Sequence, residues 1–488
     1  MPVLDPSSVL PERLDLFYGG TWHPVQDGEY RPVFSPGNGR SIASVAFAGR
    51  QDTIAAIEAA HAAFPKWRAV PALERGRILR KVAQKVRDNA SDLALLDAFN
   101  SGNPVSIMTQ DAHSAADHID FFAGLIPAVQ GETTHLDDSA LNYTVREPLG
   151  VVARIIASNH PLMFAAIRLA APLAMGNTVV LKTPEQAPLS ALRLAEIIGD
   201  EFPPGVLNIL SGGVECGQVL STHSLVSKVT LTGSVPTGKA IQKAAADSLK
   251  LTTFELGGKN ALIAFPDADI DALVDGIVRG MNWGWCGQSC GSTSRVFLHE
   301  SIHDKVLPVV AERVAKLFRP GNPVDTDTTM GALVSKAGQQ RVLGYVDIAL
   351  KEGARLVMGG KIPDTPDTEG GFFVEPTIVA DVKQSMRIAN EEVFGPIMSV
   401  LSWSDEEALI KDVNAVDYGL TGSVFTSDIK TMQRAVRQIQ AGTVWVNTTS
   451  KHYFGMPYGG YKQSGIGRED CFEEMREMTQ TKAVHVKL

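Results

Sequence analysis

The most constraining feature of this sequence is a regular alternation of short apolar runs with helical patterns, which begins near Gly150. The segments between the runs, such as 189–198 and 238–246, repeat their apolar residues at helical spacing. The runs predict strands at 151–157, 178–181, 206–210, 228–231 and 251–254. This alternation is typical of βαβ units, so we expect a parallel sheet that binds ligands at the carboxyl ends of its strands.

A second series of the same kind follows. Helical patterns at 270–280, 304–317 and 335–351 separate further apolar runs. The strands predicted from these runs are 261–264, 294–298, 355–358, 397–403, 421–425 and 442–446. Two series predict two α/β lobes, joined near 255–259.

The segments outside the two series have other patterns. Helical spacing over 52–64 and 74–99 predicts that the first part of the chain is mostly helical. Segment 128–146 passes through turn residues into alternating apolar positions, which indicates a hairpin arm. Segment 481–488 also alternates, and a strand of this kind needs a sheet to join. Because no neighbouring segment offers a sheet, we expect a partner subunit to supply it.

Charge and hydropathy argue against two classes of partner. The formal net charge of −9 disfavours nucleic acid, since phosphate backbones attract basic surfaces. No apolar stretch reaches the roughly 18 residues that a membrane-spanning helix needs. We therefore expect neither nucleic acid nor a membrane as a partner.

Cysteine usage points to a reducing compartment. Four cysteines are too few for a disulfide framework in a chain of 488 residues, so we expect a cytoplasmic location. Cys286 and Cys290 are four residues apart, but no second Cys/His pair at ligand spacing accompanies them. No metal site is predicted.

Cys290 and Glu255 are candidates for covalent catalysis. Cys290 lies in a turn of small residues, and Glu255 precedes the double glycine Gly257-Gly258. A thiol that attacks and a carboxylate that activates water are the groups that an acyl-enzyme mechanism needs. Asn159, directly after a predicted strand, has an amide that can donate to an oxyanion, although an Asn before proline is also a common turn former.

Two further strand-to-helix turns are candidates for nucleotide binding. The turn 232–238 contains Gly233 and Ser234, and backbone N–H groups at such a helix start can face a phosphate. Lys182 and Glu185 follow another predicted strand, where they suit ribose hydroxyls. A carboxylate at Glu185 would repel a 2′-phosphate, which favours NAD over NADP. Each turn taken alone is equally compatible with an ordinary helix start.

Eight segments together resemble the aldehyde dehydrogenase superfamily in order and spacing, over nearly the whole chain. They are Pro148-Leu149-Gly150-Val151-Val152, Asn159-x-Pro161, Lys182-x-x-Glu185, Thr232-Gly233-Ser234, Glu255-Leu256-Gly257-Gly258-Lys259, Gly287-Gln288-x-Cys290, Glu392-Val393-Phe394-Gly395-Pro396 and Tyr458-Gly459-Gly460-Tyr461-Lys462-Gln463-Ser464-Gly465. The resemblance implies oxidation of a small aldehyde with NAD, in which a thioester on the cysteine is hydrolysed by water.

The resemblance also implies roles for individual residues. Cys290 is similar to the nucleophile and Glu255 to the general base, while Asn159 resembles the oxyanion donor. Glu469 lies where some members have a proton-relay carboxylate. The implied cofactor contacts are Lys182 and Glu185 at the adenosine ribose, Gly233 and Ser234 at the pyrophosphate, and Glu392 and Phe394 at the nicotinamide ribose.

The expected fold is α/β and aldehyde-dehydrogenase-like, with two Rossmann-like lobes and a small β oligomerisation arm. The resemblance implies a cofactor-binding domain of residues 1–124 and 148–255 and a catalytic domain of residues 256–465. Residues 125–147 and 466–488 would form the arm, and the expected assembly is a homodimer or homotetramer.

The substrate is where the sequence leaves alternatives open. The family's usual Pro-Trp-Asn-Phe-Pro is Ala157-Ser158-Asn159-His160-Pro161 here, and Arg168 replaces a frequent Lys, so the acyl pocket is expected to differ in shape. Several aromatic residues lie near the catalytic loop or the matching C-terminal loop: Trp283, Trp285, Tyr453, Phe454 and Tyr458. They predict a pocket for an aromatic or a quaternary-ammonium aldehyde. The alternative is that they pack in the core.

Three alternative functions remain at this point. One is a redox-independent cysteine hydrolase or acyltransferase that pairs Cys290 with His160 or His452. Another is an aldehyde dehydrogenase that acylates coenzyme A, against which the retained Glu255 argues. The third is a non-catalytic binding protein, which the combination of Cys290, Glu255 and Asn159 disfavours.

Overall fold

A computed structural model describes residues 6–488. Its first lobe is built on an eight-stranded sheet whose five central strands are parallel. From edge to edge the strands are Thr21–His23, Leu16–Tyr18, Leu207–Leu210, Thr178–Lys182, Val151–Ile155, Val226–Thr232, Leu251–Glu255 and Gly465–Ile466. The predicted strands of this lobe are confirmed, and each predicted end lies within two residues of the observed one.

The strand order reverses between Val151–Ile155 and Val226–Thr232. The chain runs from Val151–Ile155 to one side of the sheet and then returns to continue on the other side. A crevice opens at such a switch point, outside the carboxyl ends of the strands. The loops that follow these two strands contain Asn159 and Gly233, so both residues lie at this crevice.

Helices cover both faces of the first sheet, which is why Val151–Ile155 and Thr178–Lys182 are buried throughout. These helices are Arg50–Arg68, Ala72–Asp88, Ala90–Ser101, Val105–Leu125, Pro161–Ala174, Leu189–Ile198, Val214–Thr222 and Val235–Ala246. The helical prediction for 74–99 was wrong in one respect. The segment is divided at Asn89, whose φ of −108° and ψ of 14° are not helical and whose side-chain amide donates to the Lys85 carbonyl.

The first part of the chain also contains strands that the sequence did not predict. Besides the two edge strands of the first sheet, Glu29–Phe34 pairs with Ser41–Phe47 in an antiparallel ribbon. These strands are short or largely exposed, so their apolar periodicity is weak. The prediction that this part is mostly helical therefore holds only after residue 50.

The second lobe contains a seven-stranded sheet that is parallel except for Arg355–Met358 at one edge. From that edge the strands are Arg355–Met358, Thr377–Ala380, Ile397–Trp403, Arg295–His299, Ala261–Ala264, Thr421–Phe425 and Thr443–Val446. Its helices are Ile270–Gly280, Glu300–Leu317, Lys336–Lys351, Arg387–Asn390, Glu406–Asn414 and Ile429–Gln438. The predicted strands are confirmed, and Thr377–Ala380 is the strand that the sequence analysis missed.

A third sheet of three strands lies outside the lobes, in the order Thr479–Lys487, Ala140–Pro148, Thr133–Thr134. Thr479–Lys487 pairs antiparallel with Ala140–Pro148 from Thr479 opposite Pro148 to Lys487 opposite Ala140. The expectation that this strand lacks a sheet in its own chain was therefore wrong. Its partner is more than 300 residues away in sequence, and local pattern cannot reveal such pairing.

The two lobes meet at residues 256–260, which join the last parallel strand of the first sheet to Ala261–Ala264 of the second. Gly465–Ile466 then returns the chain to the first sheet, beside Leu251–Glu255. Helix Phe472–Glu477 follows before the strand of the third sheet. The division into domains stays a prediction.

Among residues 6–488, no helix combines the length and hydropathy that crossing a bilayer requires.

Candidate active site

Cys290 lies on a loop of unusual backbone conformation. The single turn Trp283–Trp285 is flanked by Asn282 and Cys286, whose φ values are 55° and 54°. Gly287 follows with φ 64°, and a β-carbon there would lie 2.4 Å from the Gly395 carbonyl oxygen. Only glycine fits this position, because it must combine a left-handed backbone with close approach to a neighbouring chain segment.

Asn260 fastens the Cys290 loop to the junction between the lobes. Its side-chain amide donates to the carbonyls of Cys290, at 2.7 Å, and Ser292, at 2.9 Å. Its amide oxygen accepts the backbone N–H of Thr421 at 3.0 Å. A buried side chain with three satisfied hydrogen bonds holds the nucleophile relative to the second sheet. Asn260 directly follows the motif Glu255–Lys259 in the sequence, and no role was predicted for it.

Glu255 ends the last parallel strand of the first sheet and contacts the Cys290 thiol. Its carboxyl is buried, with Oε1 lacking a hydrogen-bond partner. Burial raises the pKa of Glu255 to about 8. Burial, and then the nearby Glu255 carboxylate, raises the pKa of the Cys290 thiol well above its ordinary value. At neutral pH the pair therefore rests with a proton on both groups.

The Tyr458 hydroxyl is the second polar neighbour of the thiol, with Oη 3.6 Å from Sγ. Tyr458 is buried, and burial followed by the charges of Cys290 and Glu255 raises its pKa well above the ordinary value. It therefore stays a neutral phenol, which can donate to a thiolate. Sequence analysis placed Tyr458 only in a substrate pocket and missed this contact.

Gly257 and Gly258 allow two close approaches. A β-carbon at Gly257 would lie 2.0 Å from Glu392 Oε2, and one at Gly258 would lie 2.7 Å from the Cys290 carbonyl oxygen. The Gly258 N–H donates to Glu392 Oε1 at 3.0 Å. These two close approaches explain sterically why both positions are glycine.

Asn159 lies in the loop after Val151–Ile155, at the crevice where the strand order reverses. It is 5% exposed, and its Oδ1 has no hydrogen-bond partner in the described part of the chain. Its backbone carbonyl accepts the Asn103 amide at 2.9 Å, which fixes the loop. Asn103 carried no sequence signal, because the loop that contains it, between helices Ala90–Ser101 and Val105–Leu125, is distant from Asn159 in the chain. The Asn159 side chain lines the same cleft as Cys290.

This cleft has a volume of about 590 Å³ and lies along the carboxyl ends of the first sheet. All six residues predicted to contact the cofactor line it, together with Asn159, Glu255 and Cys290. Lys182 lies at its far end and donates to the Thr183 carbonyl at 3.1 Å, while burial lowers the pKa of its ammonium group. Glu185 is partly exposed and faces Arg31 at 3.8 Å, a cation that sequence analysis missed.

The middle of the cleft is the start of helix Val235–Ala246. Ser234 caps this helix by accepting the Thr237 N–H at 3.4 Å, and Gly233 precedes it. The N–H groups of a first helical turn provide a favourable site for a phosphate. With a Lys/Glu pair at one end and a thiol at the other, the donor set fits a dinucleotide.

Glu392 and Phe394 close the cleft near Cys290. Burial raises the pKa of Glu392 to about 7, opposed by the Gly258 N–H. Phe394 has φ 52°, which only a tightly constrained segment imposes on a non-glycine residue. Arg341 donates to the Phe394 carbonyl at 3.5 Å and also lines the cleft, as does Tyr418. Sequence analysis missed Arg341 and Tyr418.

A second cavity of about 220 Å³ begins on the other side of Cys290. Of the five aromatic residues predicted for the substrate pocket, Trp285 and Tyr458 line it. Trp283 does not, because it is 1% exposed and packs in the core of the second lobe. Tyr453 and Phe454 lie at the surface, 56% and 49% exposed, and are not part of the lining.

The second cavity also contains residues that the sequence did not assign to a substrate pocket. Its aromatic wall is completed by Phe164 and Trp445. Its polar lining includes Asp111, His118, His160, Arg168, His452 and Asp470. These residues come from segments far apart in the chain, and none belongs to a motif with a recognisable spacing.

His160 and His452 line this cavity, but neither is a recorded hydrogen-bond partner of the Cys290 thiol. His160 Nδ1 is bonded to Asp111 Oδ2 at 2.7 Å. The ring of His452 lies 4.9 Å from that of Tyr458. Within residues 6–488, the polar side chains recorded against Sγ are Glu255 and Tyr458. The thiol–imidazole pair of a cysteine hydrolase is therefore not formed.

Glu469 lies in a buried ionic cluster rather than against the thiol. Its carboxylate is 2.8 Å from Arg168 and 3.3 Å from Arg154, and Arg154 also pairs with Glu474 at 2.8 Å. Its backbone exchanges two hydrogen bonds with Tyr458. Burial raises the pKa of Glu469 and Arg168 opposes this shift. The cluster gives Glu469 a structural role in positioning Tyr458, and its proposed proton relay stays a prediction.

A dinucleotide cleft that ends on a cysteine thiol, with a separate cavity beyond the thiol, defines a dehydrogenase that forms a covalent acyl-enzyme. The chain belongs to the aldehyde dehydrogenase family, whose model matches residues 22–484. The family resemblance inferred from the eight sequence segments is therefore confirmed.

Individual relatives agree with this assignment. The chain is 55% identical to aldehyde dehydrogenase tropH of Talaromyces stipitatus, over 98% of this chain and 94% of that protein. It is 41% identical to a betaine aldehyde dehydrogenase of Mesorhizobium japonicum, over 96% of each chain. Its structure is similar to that of a Bacillus cereus aldehyde dehydrogenase in complex with NAD+, with a TM-score of 0.95, 35% identity and 99% of each chain covered.

Proposed function

We propose that this chain oxidises an aldehyde to the carboxylic acid with NAD, through a thioester on Cys290. One observation carries the proposal: of the described residues, only Glu255 and Cys290 line both the cofactor cleft and the second cavity. A nucleophile and a base at the single meeting point of two cavities can act on a substrate from one side while a cofactor reacts from the other.

The first step is attack by Cys290 on the aldehyde carbon. The thiol proton must leave before attack, since the thiolate is the nucleophile, and the ionised form of Glu255 beside the thiol can accept it and pass it to solvent. Asn159 and a backbone N–H at Cys290 then stabilise the oxyanion. NAD in the cleft would accept the hydride from the former aldehyde carbon, which leaves a thioester on Cys290.

The second step is hydrolysis of the thioester. Glu255 is in contact with the thiol, so it can take a proton from a water that attacks the thioester carbon. The carbon–sulfur bond breaks, the acid is released and the thiolate is regenerated. Transfer to coenzyme A instead of water is not favoured, because a buried carboxyl next to the sulfur serves hydrolysis.

NAD is proposed over NADP because of the far end of the cleft. Lys182 and Glu185 suit the two hydroxyls of an adenosine ribose, and the Glu185 carboxylate repels a 2′-phosphate. Arg31 beside Glu185 is the one observed feature that would tolerate a phosphate there. The NAD+ complex of the Bacillus cereus relative supports the same choice.

The proposed assembly is a homodimer or homotetramer built through the three-stranded sheet. Thr479–Lys487 is an edge strand with mostly exposed residues, and Leu141 and Val486 are exposed apolar side chains on paired positions of this sheet. An edge strand of this kind is suited to a second copy. Sedimentation analysis tests this assembly, and a monomer at micromolar concentration would refute it.

The proposed location is the cytoplasm, in keeping with four free cysteines.

Two substitutions test the reaction separately. Cys290→Ser is expected to abolish NADH formation while NAD still binds, as measured by calorimetry. Glu255→Gln is expected to give one NADH per active site in a rapid burst and then almost no turnover, because the thioester forms but is not hydrolysed. Near-normal turnover by Cys290→Ser, or steady turnover by Glu255→Gln, would refute the assigned roles.

A further inference from the structure

The volume and lining of the second cavity limit which aldehydes fit it, and the inference drawn from them rests on the function proposed above. The four aromatic side chains in the lining are Phe164, Trp285, Trp445 and Tyr458. A cavity of roughly 150 Å³ holds a benzene ring, so about 220 Å³ accommodates one ring with small substituents. Walls made of aromatic side chains favour a planar ring in this volume.

Two imidazoles line the cavity, and each uses one ring nitrogen in a hydrogen bond to the protein. His118 Nδ1 lies 2.8 Å from the Ser114 carbonyl oxygen, which accepts only, so this nitrogen must donate. His160 Nδ1 lies 2.7 Å from Asp111 Oδ2, so it also donates. In the neutral rings the Nε2 atoms therefore carry the lone pairs. Among the described residues, neither Nε2 has a recorded hydrogen bond.

Two carboxylates of the lining already have partners within the protein. Asp111 is bonded to His160, and Asp470 is paired with Arg168 at 3.1 Å. The third acid of the cavity, Glu255, has a pKa of about 8 and is mostly protonated at neutral pH. Each carboxylate of the lining is therefore hydrogen-bonded, ion-paired or protonated, and the Arg168 guanidinium opposes a cation in the cavity.

We propose that the substrate is a hydroxylated aromatic aldehyde whose ring hydroxyls donate to His118 and His160. The ring lies between the aromatic walls and the aldehyde points to Cys290. A quaternary-ammonium aldehyde would find aromatic walls but no carboxylate that is free of a protein partner, although betaine aldehyde dehydrogenases are among the relatives. Loss of a ring hydroxyl leaves the imidazole that accepts from it without a partner in a confined site, and an unpartnered buried polar group is costly.

A substrate panel tests the inference on the unmodified enzyme. We expect kcat/KM for hydroxybenzaldehydes to exceed that for their methyl ethers and for benzaldehyde by roughly tenfold or more, since each missing hydrogen bond costs about 1–3 kcal/mol. Betaine aldehyde is expected to be the poorest substrate. Equal rates with the hydroxyl compound and its methyl ether, or a preference for betaine aldehyde, would overturn the inference. If no aldehyde gives NADH, the proposed function itself fails instead.

Variants at the histidines give a second test. His118→Leu and His160→Leu should each lower kcat/KM for hydroxybenzaldehyde by about tenfold and leave the methyl ether almost unaffected. His113→Leu is the matched control, because His113 is exposed on the same helix as His118. Equal losses with both substrates would mean a purely structural role and would refute the assignment.

Binding without turnover provides a third measurement. On a Cys290→Ala background, calorimetry with hydroxybenzaldehyde and its methyl ether should show the same tenfold difference in Kd, and His118→Leu should remove it. Equal Kd values for the two aldehydes on this background would refute hydrogen bonding by the imidazoles. This readout does not depend on NAD or on the reaction.

Discussion

Tyr458→Phe is expected to lower the reactivity of Cys290, because the Tyr458 hydroxyl is the one recorded side-chain donor to its sulfur in residues 6–488. Hydrogen bonds to charged groups contribute about 1.5–3 kcal/mol. The separation of 3.6 Å is long, so we take the lower end of this range. About 1.4 kcal/mol corresponds to about one pKa unit. Loss of the donor should therefore raise the thiol pKa by about one unit.

This shift predicts about tenfold less thiolate at any pH below the thiol pKa. A more basic thiolate is intrinsically more nucleophilic, with a Brønsted coefficient of about 0.4–0.5, so the net loss in alkylation rate is about threefold. The assay is iodoacetamide labelling of the enzyme without NAD, followed by mass spectrometry of the Cys290 peptide. The other three cysteines are buried and will label slowly.

The matched control is Tyr461→Phe, because Tyr461 lies in the same segment and is 49% exposed. It should label at the rate of the unmodified enzyme. Labelling of Tyr458→Phe at the unmodified rate across the pH range would refute the hydrogen bond. A loss of the same size in Tyr461→Phe would show that the segment, rather than the hydroxyl, sets the reactivity.

Three further outcomes are expected. The turnover number should rise with pH through about 8 and then level off, because Glu255 acts as a base only when it is ionised; a flat profile across this interval would contradict that role. Gly257→Ala should raise KM for NAD about tenfold with little change in Tm, since its β-carbon would displace Glu392 from the Gly258 N–H. The control is Gly217→Ala, because a β-carbon at Gly217 would meet no atom within 4 Å. Arg154→Met should reduce the free energy of unfolding by about 3–5 kcal/mol, because it leaves the buried Glu474 carboxylate without its ion-pair partner. Arg87→Met, at a more exposed ion pair, should cost under about 1 kcal/mol in chemical denaturation.

Motif residues and central strands were predictable from the sequence, because local pattern and spacing specify both. Strands such as Ala261–Ala264 and Thr421–Phe425 lie inside a parallel sheet, so they form continuous apolar runs. Lys182 and Glu185 lie at the end of Thr178–Lys182 in the first sheet, and Gly233 and Ser234 directly follow Val226–Thr232, so sheet topology places these cofactor residues along one edge. Their common cleft therefore follows from the fold class.

Contacts between distant segments could not be predicted. The pairing of Thr479–Lys487 with Ala140–Pro148, and the contact of Tyr458 with Cys290, join parts of the chain that share no spacing signal. The same is true of His118 and His160, whose acceptor nitrogens depend on the partners of their other ring nitrogens. Nearness in sequence can also mislead. Trp283 lies in the catalytic loop, but its side chain packs in the core of the second lobe rather than in the cavity.

The buried ionic cluster has a consequence for how the protein is made. Arg154 and Arg168 belong to the first lobe, but their partners Glu474 and Glu469 are synthesised about 300 residues later. While the ribosome is still translating the second lobe, both guanidinium groups lack their carboxylates, and an unpaired buried charge is strongly destabilising. The first lobe therefore cannot complete its interior when its own residues emerge, and it depends on the last part of the chain to do so. A nascent chain arrested before Glu469 should remain sensitive to protease throughout the first lobe.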